Sequence, residues 1–166
     1  ELKCRRHFFN HKQYEYAILI LKKFLEEPDG WIENKLNSCL VLSCCYQAMG
    51  ENAAAFDILF YSFTMDVPRA EICCEIGRLF MEKREYVTAA YWYQQALLAP
   101  RKKKNGGFYI ADSHDFIPAI QMCVCLDKAG RHREAFEFHK KVRVLKPLHQ
   151  AVIGNEKYFR DVWGME

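Results

Sequence analysis

An alanine recurs at nearly regular intervals in this 166-residue chain, and no other feature restricts its fold as strongly. Each alanine stands early in an apolar segment, and the successive intervals are 38, 34 and 46 residues for Ala17, Ala55, Ala89 and Ala135. Self-similarity at periods of roughly 20 to 50 residues is typical of repeat proteins, in which each unit buries its apolar face against the next one. The spacing therefore predicts a series of related units rather than an irregular fold.

The apolar segments have helical periodicity. Alternation of apolar and polar residues, which would predict β-strands, is absent from the sequence. A proline follows each segment, where its fixed φ and missing N–H end a helix. These prolines are Pro28, Pro68, Pro100 and Pro147. We predict an all-α chain whose helices span residues 1–10, 14–27, 36–49, 53–65, 70–83, 87–99, 116–129, 133–146 and 150–162.

Aligned on their alanines, the segments resemble the tetratricopeptide repeat, a helix–turn–helix unit with a period of about 34 residues. In the best match, bulky, small and aromatic residues stand where the family favours them, at Cys73, Ile76, Gly77, Phe80, Ala89, Tyr93 and Ala96. The next repeat has Ala119, Met122, Cys123, Leu126, Ala135, His139 and Val142 there, and the preceding one has Cys39, Leu42, Ser43, Tyr46, Ala55, Leu59 and Ser62. The resemblance implies a right-handed α-solenoid of about four repeats plus a C-terminal capping helix.

We expect one tetratricopeptide domain over residues 1–166, in a fragment of a longer protein, because the sequence begins with Glu1 and has no initiator Met. The repeats are predicted at residues 1–28, 36–67, 70–100 and 116–147, with the capping helix at 150–162. The first helix of each repeat, helix A, is expected to line a concave surface, and the second, helix B, the opposite side.

The last interval between alanines exceeds the period by 12 residues, which predicts an insertion at residues 101–115. We expect it to be a structural arm whose aromatic residues pack on a neighbouring repeat and whose lysines face a partner. The arm residues are Lys102, Lys103, Lys104, Phe108 and Tyr109. Asp115 or Ser113 immediately precedes the next helix and is expected to cap it, which we favour over a metal site.

The concave surface is expected to be a mostly apolar groove that binds a protein or peptide partner. Its predicted groove residues are Asn37, Leu40, Cys44, Gln47, Glu71, Cys74, Arg78, Met81, Ile117, Ile120, Val124 and Asp127. A clamp for a C-terminal carboxylate would need several basic or amide side chains, and only Arg78 and Asn37 qualify. The alternative is that these residues only pack against neighbouring repeats.

The sequence predicts no catalytic residue, cofactor site or metal site. The eight cysteines include adjacent pairs within helices, which point about 100° apart and cannot form disulfides with each other. No Cys-x-x-Cys pair favours zinc. The histidines His114, His132 and His139 are not placed beside a cysteine by helical spacing, so a Cys–His nucleophile is not expected. Buried reduced thiols and a cytoplasmic location are the interpretation that follows.

The net charge of +3 is small, although basic residues are concentrated at residues 101–104 and in the predicted helix 133–146. Glu134 and Glu137 lie among the basic residues of that helix, so we expect a solvated outer face and no binding of nucleic acid. No apolar run approaches the roughly 18 residues of a membrane span, so no membrane association is expected.

Several segments resemble the C-terminal tetratricopeptide region of bacterial family 2 glycosyltransferases. Its marks are PRAE at residues 68–71, Gly106-Gly107-Phe108 in the insertion, the pattern IQ-CVC-D at 120–127 and N-KYF at 155–159. The resemblance implies an enzyme that uses a nucleotide sugar and a metal-binding Asp-x-Asp motif, which this chain lacks. It therefore implies a non-catalytic module of a transferase that docks the acceptor or a partner subunit, with a homodimer as one form of association. A free-standing adaptor that binds a peptide is the alternative.

Overall fold

The computed structural model describes residues 11–101 and 109–165, and the predicted helix at residues 1–10 lies outside them. The described part is helical and contains no strand, which confirms the all-α class. Its helices are α1 His11–Glu26, α2 Ile32–Ala48, α3 Asn52–Tyr61, α4 Ala70–Glu82, α5 Tyr86–Leu98, α6 Phe116–Lys128, α7 His132–Leu145 and α8 Gln150–Trp163, with short 3₁₀ helices at Ser62–Thr64 and Ala111–His114. These bounds differ from the predicted ones by at most four residues.

The chain divides into two compact units at Pro68 and Arg69. The first unit contains α1, α2 and α3, and its core includes Leu25, Cys39 and Leu42. The second unit contains α4 to α8. Within it, α4 packs on α5, α5 on α6, α6 on α7 and α7 on α8.

One turn recurs between the two helices of a pair. It links α2 to α3, α4 to α5 and α6 to α7, and in each case an N–H donates to the carbonyl five residues earlier: Glu51 to Tyr46, Glu85 to Phe80 and Arg131 to Leu126, at 2.8 to 2.9 Å. The preceding residue has positive φ: Gly50 at 80°, Arg84 at 60° and Gly130 at 79°. Two of these positions hold glycine, which adopts this conformation without steric cost.

Close helix packing in the second unit depends on a glycine. A Cβ added to Gly77 on α4 would lie 3.0 Å from ring carbons of Tyr93 on α5. The ring is 1% exposed, and its hydroxyl donates to the sulfur of Met81 at 3.4 Å. In the next helix pair, Cys123 and His139 occupy the corresponding positions and are also buried.

Three of the four recurrent alanines are fully buried between helices, as the repeat predicts. Ala55, Ala89 and Ala135 are each 0% exposed, whereas Ala17 is partly exposed. Ala89 and Ala135 belong to the main core of the second unit, together with Tyr93 and Phe159. Phe159 comes from α8, so this last helix buries an aromatic ring beside the α6–α7 pair.

Replacing Ala89 by leucine should lower the free energy of unfolding by about 1 to 3 kcal/mol, because the new side chain enters a filled core between α4 and α5. Val87→Leu is the matched control, since Val87 lies on the same helix and is 69% exposed. Urea denaturation of the two variants makes the comparison. Equal midpoints would contradict the packing described for Ala89.

Candidate functional site

The predicted groove residues lie on α2 in the first unit and on α4 and α6 in the second. Eight of the twelve are at least partly exposed. On α2 they are Asn37, Cys44 and Gln47, and in the second unit they are Arg78, Met81, Ile117, Val124 and Asp127. The A-helix face within each unit is thus partly open and mixed in polarity.

The predicted exposure of the other four groove residues is wrong. Leu40 and Ile120 are 7% exposed, Cys74 is 5% and Glu71 is 2%. Ile120 packs with Phe116, Ala119, Val142 and Val152 in a small core. Leu40 lies on α2, which packs against both α1 and α3. These two side chains therefore belong to the interior.

Glu71 and Cys74, which we call the α4 face, are buried because part of the insertion lies on them. We call residues 109–114 the covering segment. The backbone N–H of Ile110 donates to Oε1 of Glu71 at 2.8 Å, and Sγ of Cys74 donates to the backbone carbonyl of Ser113 at 3.5 Å. Ile110 has φ −109° and ψ 106°, so the chain is extended where it meets the carboxylate.

Aromatic stacking orders the covering segment internally. The ring of Tyr109 stacks on the ring of His114 with centroids 4.8 Å apart. Nε2 of His114 lies 3.7 Å from Oε1 of Glu71, beyond hydrogen-bonding distance. The other predicted arm residues, Lys102, Lys103, Lys104 and Phe108, lie outside the described residues.

Ion pairs hold the outer side of the covering segment. Asp112 pairs with Lys146 of α7, and both side chains are about two-fifths exposed, at 40% and 39%. Arg101 donates to the carbonyl of His114 and to Oδ2 of Asp115, both at 3.2 Å. The other carboxylate oxygen of Asp115 accepts from the N–H of Phe116 at 2.6 Å, which confirms the predicted cap of α6.

Two polar atoms of the covering segment are buried without a hydrogen-bond partner. They are Oγ of Ser113 and Nδ1 of His114, in side chains that are 0% and 4% exposed. A buried polar group without a partner costs about 1 to 3 kcal/mol. The covering segment is therefore docked at a cost, although Glu71 and Cys74 bind it.

Asp127, another predicted groove residue, joins three helices. Its Oδ1 lies 2.7 Å from Nδ1 of His132, and its Oδ2 accepts from the hydroxyl of Tyr158 at 2.9 Å. Nε1 of Trp163 donates to the same hydroxyl at 3.2 Å, and its ring stacks on His132 at 3.8 Å. The carboxylate of Asp127 thus holds α8 against the α6–α7 turn. Asp127 therefore has a structural role.

The chain is similar to a solved structure, the crystal structure of MamA. The TM-score is 0.64 at 21% sequence identity, over 91% of this chain and 81% of that chain. MamA is a tetratricopeptide-type protein. The fold is a tetratricopeptide-type helical repeat. No family model matches the chain. No curated protein matches it either.

Six of the seven described cysteines are buried, as predicted, and Cys44 is partly exposed. Burial raises the pKa of Cys39, Cys73, Cys123 and Cys125 to about 12, and it also raises the pKa of Cys74. The thiolate is the form that acts as nucleophile or metal ligand. These five thiols therefore remain protonated at neutral pH, which disfavours a nucleophilic role for them.

Basic side chains of α7 and of the turn before it are largely paired within the chain. Each pair joins a cation to a nearby carboxylate: Arg131 to Glu134, Lys140 to Glu137, Arg143 to Glu156 and Lys146 to Asp112. Arg131, Arg133 and Trp163 line a pocket of about 380 Å³ at the α6–α7 turn. The pairing favours the expected solvated face over a phosphate-binding surface.

Within residues 11–101 and 109–165, no three His, Cys, Asp or Glu side chains are grouped so that they could hold a metal ion. Across the same part of the chain, none of the helices combines the length and apolar character that crossing a bilayer requires.

His139 is a buried titratable residue whose burial the sequence analysis did not predict. It is 0% exposed, lies between the rings of Phe136 and Phe159, and has no hydrogen-bond partner at either ring nitrogen. Loss of solvation lowers its pKa below the ordinary value of 6.5; Arg143 also lowers it, and Glu156 opposes the shift. His139 aligns with Tyr93, at a position where the repeat family has a buried aromatic residue. This alignment is the sequence signal from which its burial could have been predicted.

His139→Phe should weaken the dependence of stability on pH. Because burial lowers the folded-state pKa of His139 below 6.5, the unfolded chain takes up a proton at this residue at a higher pH than the folded chain does, so His139 destabilises the fold as pH falls. Thermal unfolding by circular dichroism between about pH 7.5 and about pH 5 measures the slope. His11→Gln, which alters an exposed histidine, is the control. If both variants keep the wild-type slope, His139 is not the sensitive group.

Proposed function

We propose that the chain is a protein-binding module that carries no catalytic residues and docks a partner on its A-helix faces. The observation that carries the proposal is the partly exposed stripe of α4 and α6 residues in the second unit, namely Arg78, Met81, Ile117 and Val124. Apolar side chains with a polar edge at helical spacing suit an apolar peptide or helix. The buried, protonated thiols support a binding role over a nucleophilic one.

Arg78 is held by neighbouring carboxylates rather than aimed at a ligand. Its Nε and one terminal nitrogen donate to the two oxygens of Glu75 at 2.9 and 2.6 Å, and the other terminal nitrogen pairs with Glu82. A clamp for a C-terminal carboxylate would compete with both glutamates. We therefore propose an internal, largely apolar partner segment.

We further propose that this module belongs to a cytoplasmic bacterial family 2 glycosyltransferase, where it docks the acceptor or a partner subunit. Its support is the sequence resemblance at residues 68–71, 120–127 and 155–159. The alternative is a free-standing adaptor.

One face of α1 is apolar and exposed. Its residues Tyr16, Leu19 and Ile20 are 67%, 60% and 46% exposed, which supports association with a further helix or a second copy.

Site-specific photo-cross-linking tests the docking surface. A photoreactive residue at Val124, on the open stripe of α6, should cross-link a protein in the cells that make this chain. Lys157 on α8 is the control position, since it is exposed in the same unit but lies off the stripe. Equal products at both positions, or none at Val124, would refute docking on α6.

Calorimetry tests the claim that the module is non-catalytic. Titrating nucleotide sugars into the chain with Mg²⁺ or Mn²⁺ should give no saturable heat, because the carboxylate pair of an Asp-x-Asp motif is missing from the sequence. Stoichiometric binding of any nucleotide sugar would show that a donor site is present and would overturn the claim.

A further inference from the structure

We propose that one end of the second unit, which we call the basic end, binds the surface of an anionic lipid bilayer without crossing it. Its residues are exposed and lie at the C-terminal ends of α5 and α7 and just before α8: Leu98, Arg101, Lys141, Val144 and Leu148. The inference goes beyond the proposed function, because it concerns other residues and another class of partner. It replaces the expectation of no membrane association, which rested only on the lack of a spanning segment.

A small core brings these segments to the same end of the unit. Leu97, next to Leu98, packs on the core that contains Phe116 at the start of α6 and Val142 near the end of α7. The ring of His149, which precedes α8, lies with its centroid 4.7 Å from that of Phe116. The exposed apolar residues that are close to these positions in the sequence therefore lie at one end of the second unit.

The apolar side chains of the basic end protrude into solvent. Leu148 and Val144 are 85% and 83% exposed, more than any other large apolar side chain in the described part of the chain, and Leu98 follows at 70%. A side chain exposed to this extent contacts few neighbours, so it does not line a groove for a partner helix. Apolar side chains that stand out from a surface are suited to insertion among the headgroups and upper acyl chains of a bilayer.

Basic residues accompany these apolar side chains. Residues 140–149 include four lysine or arginine residues and no Asp or Glu. Lys140 and Lys141 precede Val144 by four and three residues on α7, so they share a helix face with it. Arg101 follows the end of α5. Lysine and arginine side chains near a bilayer are attracted to anionic headgroups, which makes such a bilayer the complementary partner.

Neither charge nor apolar contact is sufficient alone. Four basic residues here pair with carboxylates, in side chains that are 33% to 64% exposed: Arg101, Lys140, Arg143 and Lys146. Exposed ion pairs are weak, so these cations keep part of their attraction for a charged surface. Lys141 lies over the ring of Phe138, 4.4 Å from its centroid. Stable attachment to a bilayer generally combines an apolar contribution with a basic one, and the basic end offers both.

Co-sedimentation of the chain with increasing amounts of lipid vesicles tests the proposal. The probe is a vesicle of equal parts phosphatidylcholine and phosphatidylglycerol, and a vesicle of phosphatidylcholine alone is the neutral comparison. The wild-type chain should bind the anionic vesicles at least about tenfold more tightly than the neutral ones, because the basic side chains add attraction. Equal binding to both vesicles, or binding to neither, would overturn the proposal.

Two pairs of variants separate the apolar contribution from the basic one. Val144→Ser combined with Leu148→Ser should weaken binding to anionic vesicles at least about tenfold, because both side chains lose their apolar contact with lipid. Val87→Ser is the matched control, since Val87 is 69% exposed but lies near the start of α5, at the opposite end of that helix from Leu98. Far-ultraviolet circular dichroism should be unchanged for both proteins.

Lys141→Gln should weaken the same binding about threefold or more, whereas Lys128→Gln, at an exposed position in the last turn of α6, should leave it unchanged. If the double serine variant binds as tightly as wild type, the chain adsorbs by charge alone and the proposal is overturned. If the chain binds no vesicle and a photoreactive residue at Leu148 cross-links a protein in cells, the basic end is a protein-binding surface and the lipid assignment is wrong.

Discussion

The contact on which the second unit depends is the close approach of the α4 backbone to the ring of Tyr93. A Cβ at Gly77 would lie 3.0 Å from the ring, so a side chain at this position would require the ring or the helix to shift. The ring in turn fills the core with Ala89 and Ala96, which are both 0% exposed. Packing at this density tolerates little change in volume. This contact therefore sets the distance between α4 and α5. That distance in turn determines where α6 packs.

The close packing of the helix pair also accounts for the burial of the thiols in this unit. Small residues and thiols are used to bring helices together, which leaves Cys73, Cys74, Cys123 and Cys125 buried and protonated. The stripe on α4 and α6 remains partly accessible in the second unit. The covering segment crosses part of α4, where the N–H of Ile110 donates to Glu71.

Local signals in the sequence predicted most of the fold. The alanine spacing placed the described helices to within four residues, and Asp115 was expected to cap α6 from its position alone. The site was less predictable, because its contacts join residues far apart. Glu71 meets a backbone N–H that is 39 residues away, and Asp127 meets Tyr158 across 31 residues. Helical spacing determines which residues share a face, but not which loop covers that face.

A double-mutant cycle at Gly77 and Tyr93 tests the central packing contact most directly. Gly77→Val should lower the free energy of unfolding by about 1 to 3 kcal/mol, because the added side chain meets the ring. In the Tyr93→Leu background the ring is gone and the same substitution should cost less, with a coupling free energy of about 1 kcal/mol or more. Urea denaturation of the four proteins gives the value. Strictly additive effects would contradict the account, since they would mean that the two residues do not constrain each other.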